Sequence, residues 1–145
     1  MLLSKSCIYG LRASLYLAYN KNDGYISIKE IAKELDISFH FLTKILQQLT
    51  AEGYMESYKG PNGGIKLSKK GLDSSLLDFV ATIEGGELFT ECVLGLPGCG
   101  SSVPCALHEN WVSTRNGIVK MLQDATIQDL IKKKLDEGLR KKLNI

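Results

Sequence analysis

The segment S-I-K-E-I-A-K-E-L-D-I-S-F-H-F-L-T-K-I-L-Q-Q-L-T-A-E-G-Y-M-E-S-Y-K-G-P-N-G-G-I-K-L, from Ser27 to Leu67, decides how this chain folds. Ser27 with Glu30 three residues on reads as a capping box. It opens a short helix that buries Ile28, Ile31 and Leu35, and Asp36 breaks it. Ser38 then caps a longer helix whose apolar residues Leu42, Ile45, Leu46 and Leu49 recur at helical spacing, with Gly53 as the stop. Two helices across a tight turn make a helix-turn-helix. Directly after it, Y-M-E-S-Y and I-K-L read as strands around the turn cluster K-G-P-N-G-G. A hairpin in that place is a wing.

Working outward, a first amphipathic helix is expected from about Ser4 to Asn20, with Ile8, Leu11, Leu15 and Ala18 on one face and the polar break N-K-N-D-G after it. Beyond the wing, D-S-S-L-L-D-F-V-A-T-I-E reads as a fourth helix ended by Gly85-Gly86. A loop follows over residues 87–104. A long helix is expected to start near Cys105, with Pro104 in its first turn and Ser101 or Ser102 as cap, and to run to about Asp124. Thr126 with Asp129 opens a last helix, T-I-Q-D-L-I-K-K-K-L-D-E. Trp111, Ile118, Val119 and Leu122 on the long helix are too large an apolar set for a loop to cover. They read as a two-fold dimer contact, with packing inside their own subunit as the alternative.

The expected fold is therefore mainly α: a winged helix-turn-helix of three helices and a two-stranded wing, with a long C-terminal dimerisation helix. Residues 1–84 form the DNA-binding domain, 85–104 a cysteine-rich cluster loop, and 105–145 the dimerisation helix and C-terminal helix. The 145 residues are 44% hydrophobic and 23% charged, which suits a packed core and argues against disorder. Net charge is only +2, so a nucleic-acid surface has to come from local clusters such as Lys66, Lys69 and Lys70. The C-terminal run of Lys132, Lys133, Lys134, Arg140, Lys141 and Lys142 reads as a solvated helix face and tail. No apolar run approaches a bilayer span and the N-terminus lacks a signal-peptide pattern, so the expected location is cytoplasmic.

Past the wing lies E-C-V-L-G-L-P-G-C-G-S-S-V-P-C-A-L-H, in which Cys92, Cys99, Cys105 and His108 are spaced C-x6-C-x5-C-x2-H. The chain's other cysteine is Cys7. Thiolates and imidazole on a Gly-rich loop suit zinc or an iron–sulfur cluster. Buried thiolates need a cation, and metal binding supplies one while ordering the loop. A thiol switch, or a loop without cofactor, stays open on composition. An enzymatic reading lacks a substrate site: no phosphate loop is present, and the second histidine, His40, lies on the helix assigned to DNA.

On that helix Ser38, His40, Thr43 and Lys44 occupy the end that enters a major groove, with Gln47 and Gln48 further along. One of Phe39 and Phe41 is expected to touch a thymine methyl and the other to join the core. At the wing, Lys59 is a phosphate or minor-groove contact, and Pro61, Asn62, Gly63 and Gly64 form a tip slim enough for close approach. Lys66 and Lys69 add phosphate contacts. The expected partners are double-stranded DNA and a second copy of the chain, with neither membrane nor small-molecule substrate.

The order S-K-S-C-I-Y-G-L-R near the start, L-T-K-I-L-Q-Q-L in the third helix, K-G-P-N-G-G-I-K-L at the wing and three cysteines downstream resemble a family of bacterial winged-helix repressors. It is the one that contains IscR-type and NsrR-type iron–sulfur regulators, and the resemblance covers residues 1–135. It implies a homodimer crossing through the long helix, and a [2Fe–2S] or [4Fe–4S] iron–sulfur cluster on three cysteines plus one variable ligand, with the [2Fe–2S] form favoured. In IscR-like members that ligand is a histidine just after the third cysteine, which His108 matches. In NsrR-like members it is an acidic residue from the partner's first helix, and S-K-S-C-I-Y-G carries no carboxylate. Cys7 in that stretch is the alternative ligand. The resemblance implies DNA affinity controlled by iron–sulfur status, redox or nitric oxide, and an air-exposed preparation can lack the cluster.

Overall fold

The computed structural model describes residues 2–21, 24–133, 137, 140 and 141. The expected break at N-K-N-D-G therefore falls partly outside the described residues, as do positions 134–136 of the last helix, Lys134 and Lys142.

The first helix, α1, runs Lys5–Tyr19, and the Ser4 hydroxyl accepts from the Cys7 N–H at its start. Helix α2 spans Ile28–Leu35; Ser27 Oγ accepts from the Glu30 N–H, and Asp36 ends the helix in the left-handed region at φ 53°. Helix α3 spans Phe39–Ala51, with Ser38 at its N-cap position but making no side-chain cap hydrogen bond. Strands β1, Met55–Tyr58, and β2, Gly64–Leu67, pair antiparallel with Met55 opposite Leu67 and Tyr58 opposite Gly64. Ile26 joins them by a reciprocal pair of hydrogen bonds with Ile65, at 2.9 and 2.8 Å. The wing is thereby stitched to the turn before α2. This is the winged helix the sequence predicts.

Its core gathers Ala13 and Leu17 of α1, Ile31 and Leu35 of α2, and Leu42, Leu46 and Leu49 of α3, with Met55, Ile65 and Phe79 closing it. Burying one such side chain stabilises by about 1.5–3 kcal/mol. Gly10 sets how closely α1 can approach its neighbours. A Cβ there would lie 2.8 Å from Ile83 Cδ1 and 3.2 Å from Ile45 Cγ2.

One helix was not expected: α4, Lys69–Asp73. Ser68 builds it by accepting from the Gly71 N–H while donating to the Gly53 carbonyl at 2.6 Å. Helix α5, Leu76–Glu84, follows Ser75 as N-cap. After a short 3-10 turn at Glu87–Phe89 comes the cysteine loop. The long helix, α6, spans His108–Gln123 and so starts three residues later than expected, capped by neither Ser101 nor Ser102. The reason is local: Gly100 and Val103 pair with each other across a tight turn, and the Cys105 N–H is spent on the Cys99 sulfur. Helix α7, Ile127–Lys132, opens with the full Thr126–Asp129 capping box.

The C-terminal helices rest on the first one. Cys7, Ala18, Leu76, Val80, Leu122 and Ile127 form a second buried cluster, with Ile118 packed against it. Leu122 and Ile118, expected in a dimer contact, are thus used within the subunit, while Met121 stands 62% exposed on the same helix. None of the described helices is long and apolar enough to cross a membrane.

Cys7 is a core thiol with no exposed surface. Burial, then the charge and hydrogen bond of Glu84, push it up from 9.0 to about 12. The folded chain thus holds this proton more tightly than the unfolded one. The stabilisation is whole below pH 9 and is lost as pH rises towards 12. Cys7→Ala is expected to remove about 2 kcal/mol of the stability loss between pH 9 and 10.5. Urea midpoints for both proteins at the two pH values check this, and parallel pH dependence would refute it.

Candidate nucleic-acid interface and metal centre

The residues assigned to DNA separate once folded. Ser38, His40, Lys44 and Gln47 are exposed along α3, as are Lys59, Pro61 and Asn62 at the wing. The Ser38 hydroxyl is not spent on the helix cap. The Thr43 hydroxyl donates to the Phe39 carbonyl at 2.7 Å, which leaves it half-buried. Gln48 is turned elsewhere: its Nε2 donates to the Thr82 carbonyl on α5 at 2.6 Å. Lys66 is also engaged, 3.1 Å from Glu56 Oε2 and 4.9 Å above the Tyr25 ring. Gly63 and Gly64 serve the backbone, since a Cβ on either would fall 2.3 Å from a carbonyl oxygen, of Tyr58 and Ile26 respectively.

Aromatic contacts add what the sequence left undecided. Phe41 packs edge-on against Tyr9 of α1, with centroids 5.7 Å apart, whereas Phe39 lies against His40 at 5.4 Å. Neither ring joins the core as expected, since both are 37% exposed; Phe39 is the one that lies against His40. Tyr58, 57% exposed, rests on Tyr25 at 5.6 Å and stiffens the wing. Neither tyrosine was picked out from sequence; for Tyr58 the alternation of Y-M-E-S-Y was the available signal.

In the loop before α6 three sulfurs converge. The Sγ atoms of Cys92, Cys99 and Cys105 all lie within 4.8 Å of one another. Cys92 and Cys105 are 3.8 Å apart, and Cys99 Sγ lies 3.6 Å from Nδ1 of His108. All four side chains are half-buried, and the cysteines are free thiols. The backbone is arranged to stabilise negative sulfur. The Cys105 N–H points to Cys99 Sγ at 3.4 Å. Backbone N–H groups of Leu96 and then Leu94 pull Cys92 down to about 7, against the upward push of burial. Cys99 sits above its ordinary value: the Cys105 amide lowers it most, but burial and the sulfurs of Cys105 and Cys92 together outweigh that. Thiolate donors with N–H support and an imidazole fit a thiophilic metal centre.

The loop is pinned to α6 by residues the sequence reading treated only as dimer contact or passed over. Trp111 Nε1 donates to the Glu91 carbonyl at 2.8 Å, and Arg115 donates to the Thr90 carbonyl at 2.8 Å. His108, Trp111 and Arg115 stand one helical turn apart in succession, so one face of α6 carries a candidate ligand and two clamps. That spacing was a usable signal. Around them a cleft of about 780 Å³ is lined by Cys92, Cys99, Ser101, His108 and Glu109.

The three-helix core and stitched wing define a winged-helix protein, and the comparisons with known proteins agree. The chain belongs to the Rrf2 family, described as iron-dependent transcriptional regulators, whose profile matches residues 3–133. It is 35% identical over 133 residues to protein aau3 of Rhizobium meliloti, covering 91% of this chain and 86% of that one. It is 30% identical to the transcriptional regulator NsrR of Oceanobacillus iheyensis, over 91% of this chain and 90% of the relative. Among solved structures, CymR, the global cysteine regulator of B. subtilis, superposes with a TM-score of 0.76 at 24% identity, covering 92% of this chain and 98% of that chain. IscR of T. potens gives 0.71 at 24% identity, covering 90% and 86%. These two likenesses show the shared fold. The family is one of transcriptional regulators, not of enzymes.

Proposed function

We propose that this chain is a homodimeric repressor whose affinity for double-stranded DNA is set by an iron–sulfur cluster, [2Fe–2S] in preference to [4Fe–4S], held by Cys92, Cys99, Cys105 and His108. The convergence of three cysteine sulfurs, with His108 beside Cys99, in an iron-dependent regulator family carries the reading. The donors fall into two close pairs, Cys92 with Cys105 and Cys99 with His108, which suits one pair for each of two irons. When bound, the cluster supplies the cation for the thiolates and an iron chemistry that answers to iron–sulfur status, redox or nitric oxide. Cys7 is left out of the ligand set because it lies fully buried in the subunit.

The chain's own residues supply a route from centre to DNA. Trp111 and Arg115 tie the loop to α6. Helix α6 packs on α5, and Gln48 binds α5 to the reading helix α3. A loop released from α6 frees that helix to shift, and in a dimer joined through the exposed face of α6 the two reading helices then change separation. Both half-sites are no longer met together. By linkage, DNA biases retention of the centre with the same coupling free energy. Ser38, His40, Lys44 and Gln47 with Phe39 form the major-groove surface, and Lys59, Pro61 and Asn62 the wing contact. Thr43 contributes its edge, while Gly63, Gly64, Lys66 and Gln48 hold the frame. On this reading residues 1–84 bind DNA, 85–104 hold the centre and 105–145 dimerise.

Selection from a random duplex pool with anaerobically loaded protein tests this. The recovered sites are expected to be two-fold symmetric, and their affinity to differ at least about tenfold between loaded and metal-free protein, which corresponds to about 1.4 kcal/mol of coupling. Equal affinities in the two states would end the sensing reading. Lys59→Ala is expected to weaken binding to all sequences and lower the salt-dependence slope by about one charge. An unchanged slope removes Lys59 from the interface.

A further inference from the structure

The distances at the cysteine site point to an occupant besides a cluster. A tetrahedral ion with metal–sulfur bonds of about 2.3 Å and metal–nitrogen bonds of about 2.05 Å sets ligand edges of about 3.8 Å between sulfurs and about 3.6 Å from sulfur to nitrogen. Cys92 and Cys105 are 3.8 Å apart, and Cys99 Sγ is 3.6 Å from His108 Nδ1. The remaining sulfur pairs lie within 4.8 Å, about an ångström from closing, and His108 joins the three sulfurs through Cys99. Those two short pairs fit one ion and two tetrahedral irons alike; the approach of Cys99 Sγ to within 4.8 Å of both Cys92 and Cys105 is what favours one ion, because ligands of different irons in a cluster stand further apart. The loop has room for the closing motion: a Cβ on Gly95, Gly98 or Gly100 would meet nothing within 4 Å.

We infer that these four side chains also form a closed tetrahedral site for a single thiophilic divalent ion, Zn²⁺ by its ligand chemistry, with His108 bound through Nδ1, and that zinc excludes the cluster by occupying the same ligands. The inference rests on the metal-centre reading above. A donor set of three thiolates and an imidazole with no open position is a structural zinc set rather than a catalytic one. Zinc has no redox chemistry, so a zinc-loaded regulator is locked against redox and nitric oxide signals. The ratio of available zinc to iron and sulfide then becomes a second input to the same switch.

Titrating reduced, metal-free full-length protein with Co²⁺ under nitrogen tests it. One equivalent is expected to give intense tetrahedral ligand-field bands with thiolate charge transfer, and one equivalent of Zn²⁺ to erase them. Zinc-loaded protein is expected to resist cluster assembly from ferrous iron and sulfide. His108→Ala is expected to alter the cobalt bands and weaken zinc binding by more than the roughly 10–100-fold typical of losing an outer partner, while Cys7→Ser leaves both unchanged. Weak octahedral cobalt bands, or a cobalt spectrum indifferent to His108→Ala, would overturn the single-ion site. If such a protein still assembles a coloured cluster, the cluster reading stands alone. If cobalt and zinc bind tetrahedrally but iron and sulfide yield no cluster, the cluster reading falls and the zinc site stands.

Discussion

Cys99→Ser is expected to abolish retention of the metal centre while leaving the melting temperature almost unchanged. Cys99 occupies the middle of the site, with its sulfur facing both the Cys105 N–H and His108 Nδ1. A serine hydroxyl is a poorer ligand for a soft metal and reaches less far, so one pair of donors is lost. Iron and sulfide bound after anaerobic reconstitution should fall to about a tenth of wild type or less, since removing a ligand costs more than the roughly 10–100-fold of an outer-shell change. DNA affinity should then match that of metal-free wild type under every loading condition. Stability should hold within about 0.5 kcal/mol, as for substitutions away from the core. The core is built from α1–α3, the wing and α5, and residues 92–105 contribute nothing to either buried cluster. A metal-free Cys99→Ser protein that melts several degrees below metal-free wild type would make the loop part of the folding core. Retained iron and sulfide would remove Cys99 from the ligand set.

Gly64→Ala has the largest effect expected on the fold, although it adds one methyl group. That Cβ would lie 2.3 Å from the Ile26 oxygen, 2.4 Å from its carbonyl carbon and 2.9 Å from Ser27 N. All three are backbone atoms, so no side chain can swing aside. The two Ile26–Ile65 hydrogen bonds have to stretch or break, and both isoleucines are core residues at 4% and 2% exposure. Two hydrogen bonds at about 1 kcal/mol each, with partial exposure of that apolar pair, sum to about 3 kcal/mol. For a chain of this size the melting temperature should drop by roughly 10 °C. DNA affinity should fall with it, because the wing loses its attachment to the turn before α2. Gly100→Ala is the matched control: nothing lies within 4 Å of its Cβ, so it should melt with wild type. Thermal unfolding of both variants checks the contrast. A Gly64→Ala protein melting within a degree or two of wild type would mean that the wing is not held through Ile26.

The winged helix was legible because its signals act within a turn or two of chain. Ser27, Asp36, Gly53 and the K-G-P-N-G-G turn each set local backbone geometry, and the structure puts element boundaries at or beside them. Helix α4 escaped notice because five residues carry too little periodicity, and its Ser68 cap depends on a bond to Gly53 fifteen residues away. The start of α6 was misjudged for a related reason. Pro104 and the serines are sound local start signals, but the Cys105 N–H goes to a sulfur instead of a helix. Gln48 and Lys66 looked like free polar side chains in sequence; neighbours brought in by folding, Thr82 and Tyr25, claimed them.

The sequence by itself determined the order α1, α2, α3 and wing, and the identity of the candidate ligands Cys92, Cys99, Cys105 and His108, since caps, turns and donor chemistry are properties of residues and short spacings. Only the tertiary structure decided which exposed residues remain free for DNA and that Cys7 is core. It also decided that the three cysteine sulfurs converge with His108 beside Cys99, and that Trp111 and Arg115 hold their loop to α6. Those are distances between residues 9 to 25 positions apart. Loop closure over that length is entropically cheap in many geometries, so no local preference selects one; packing of α6 against α5 does.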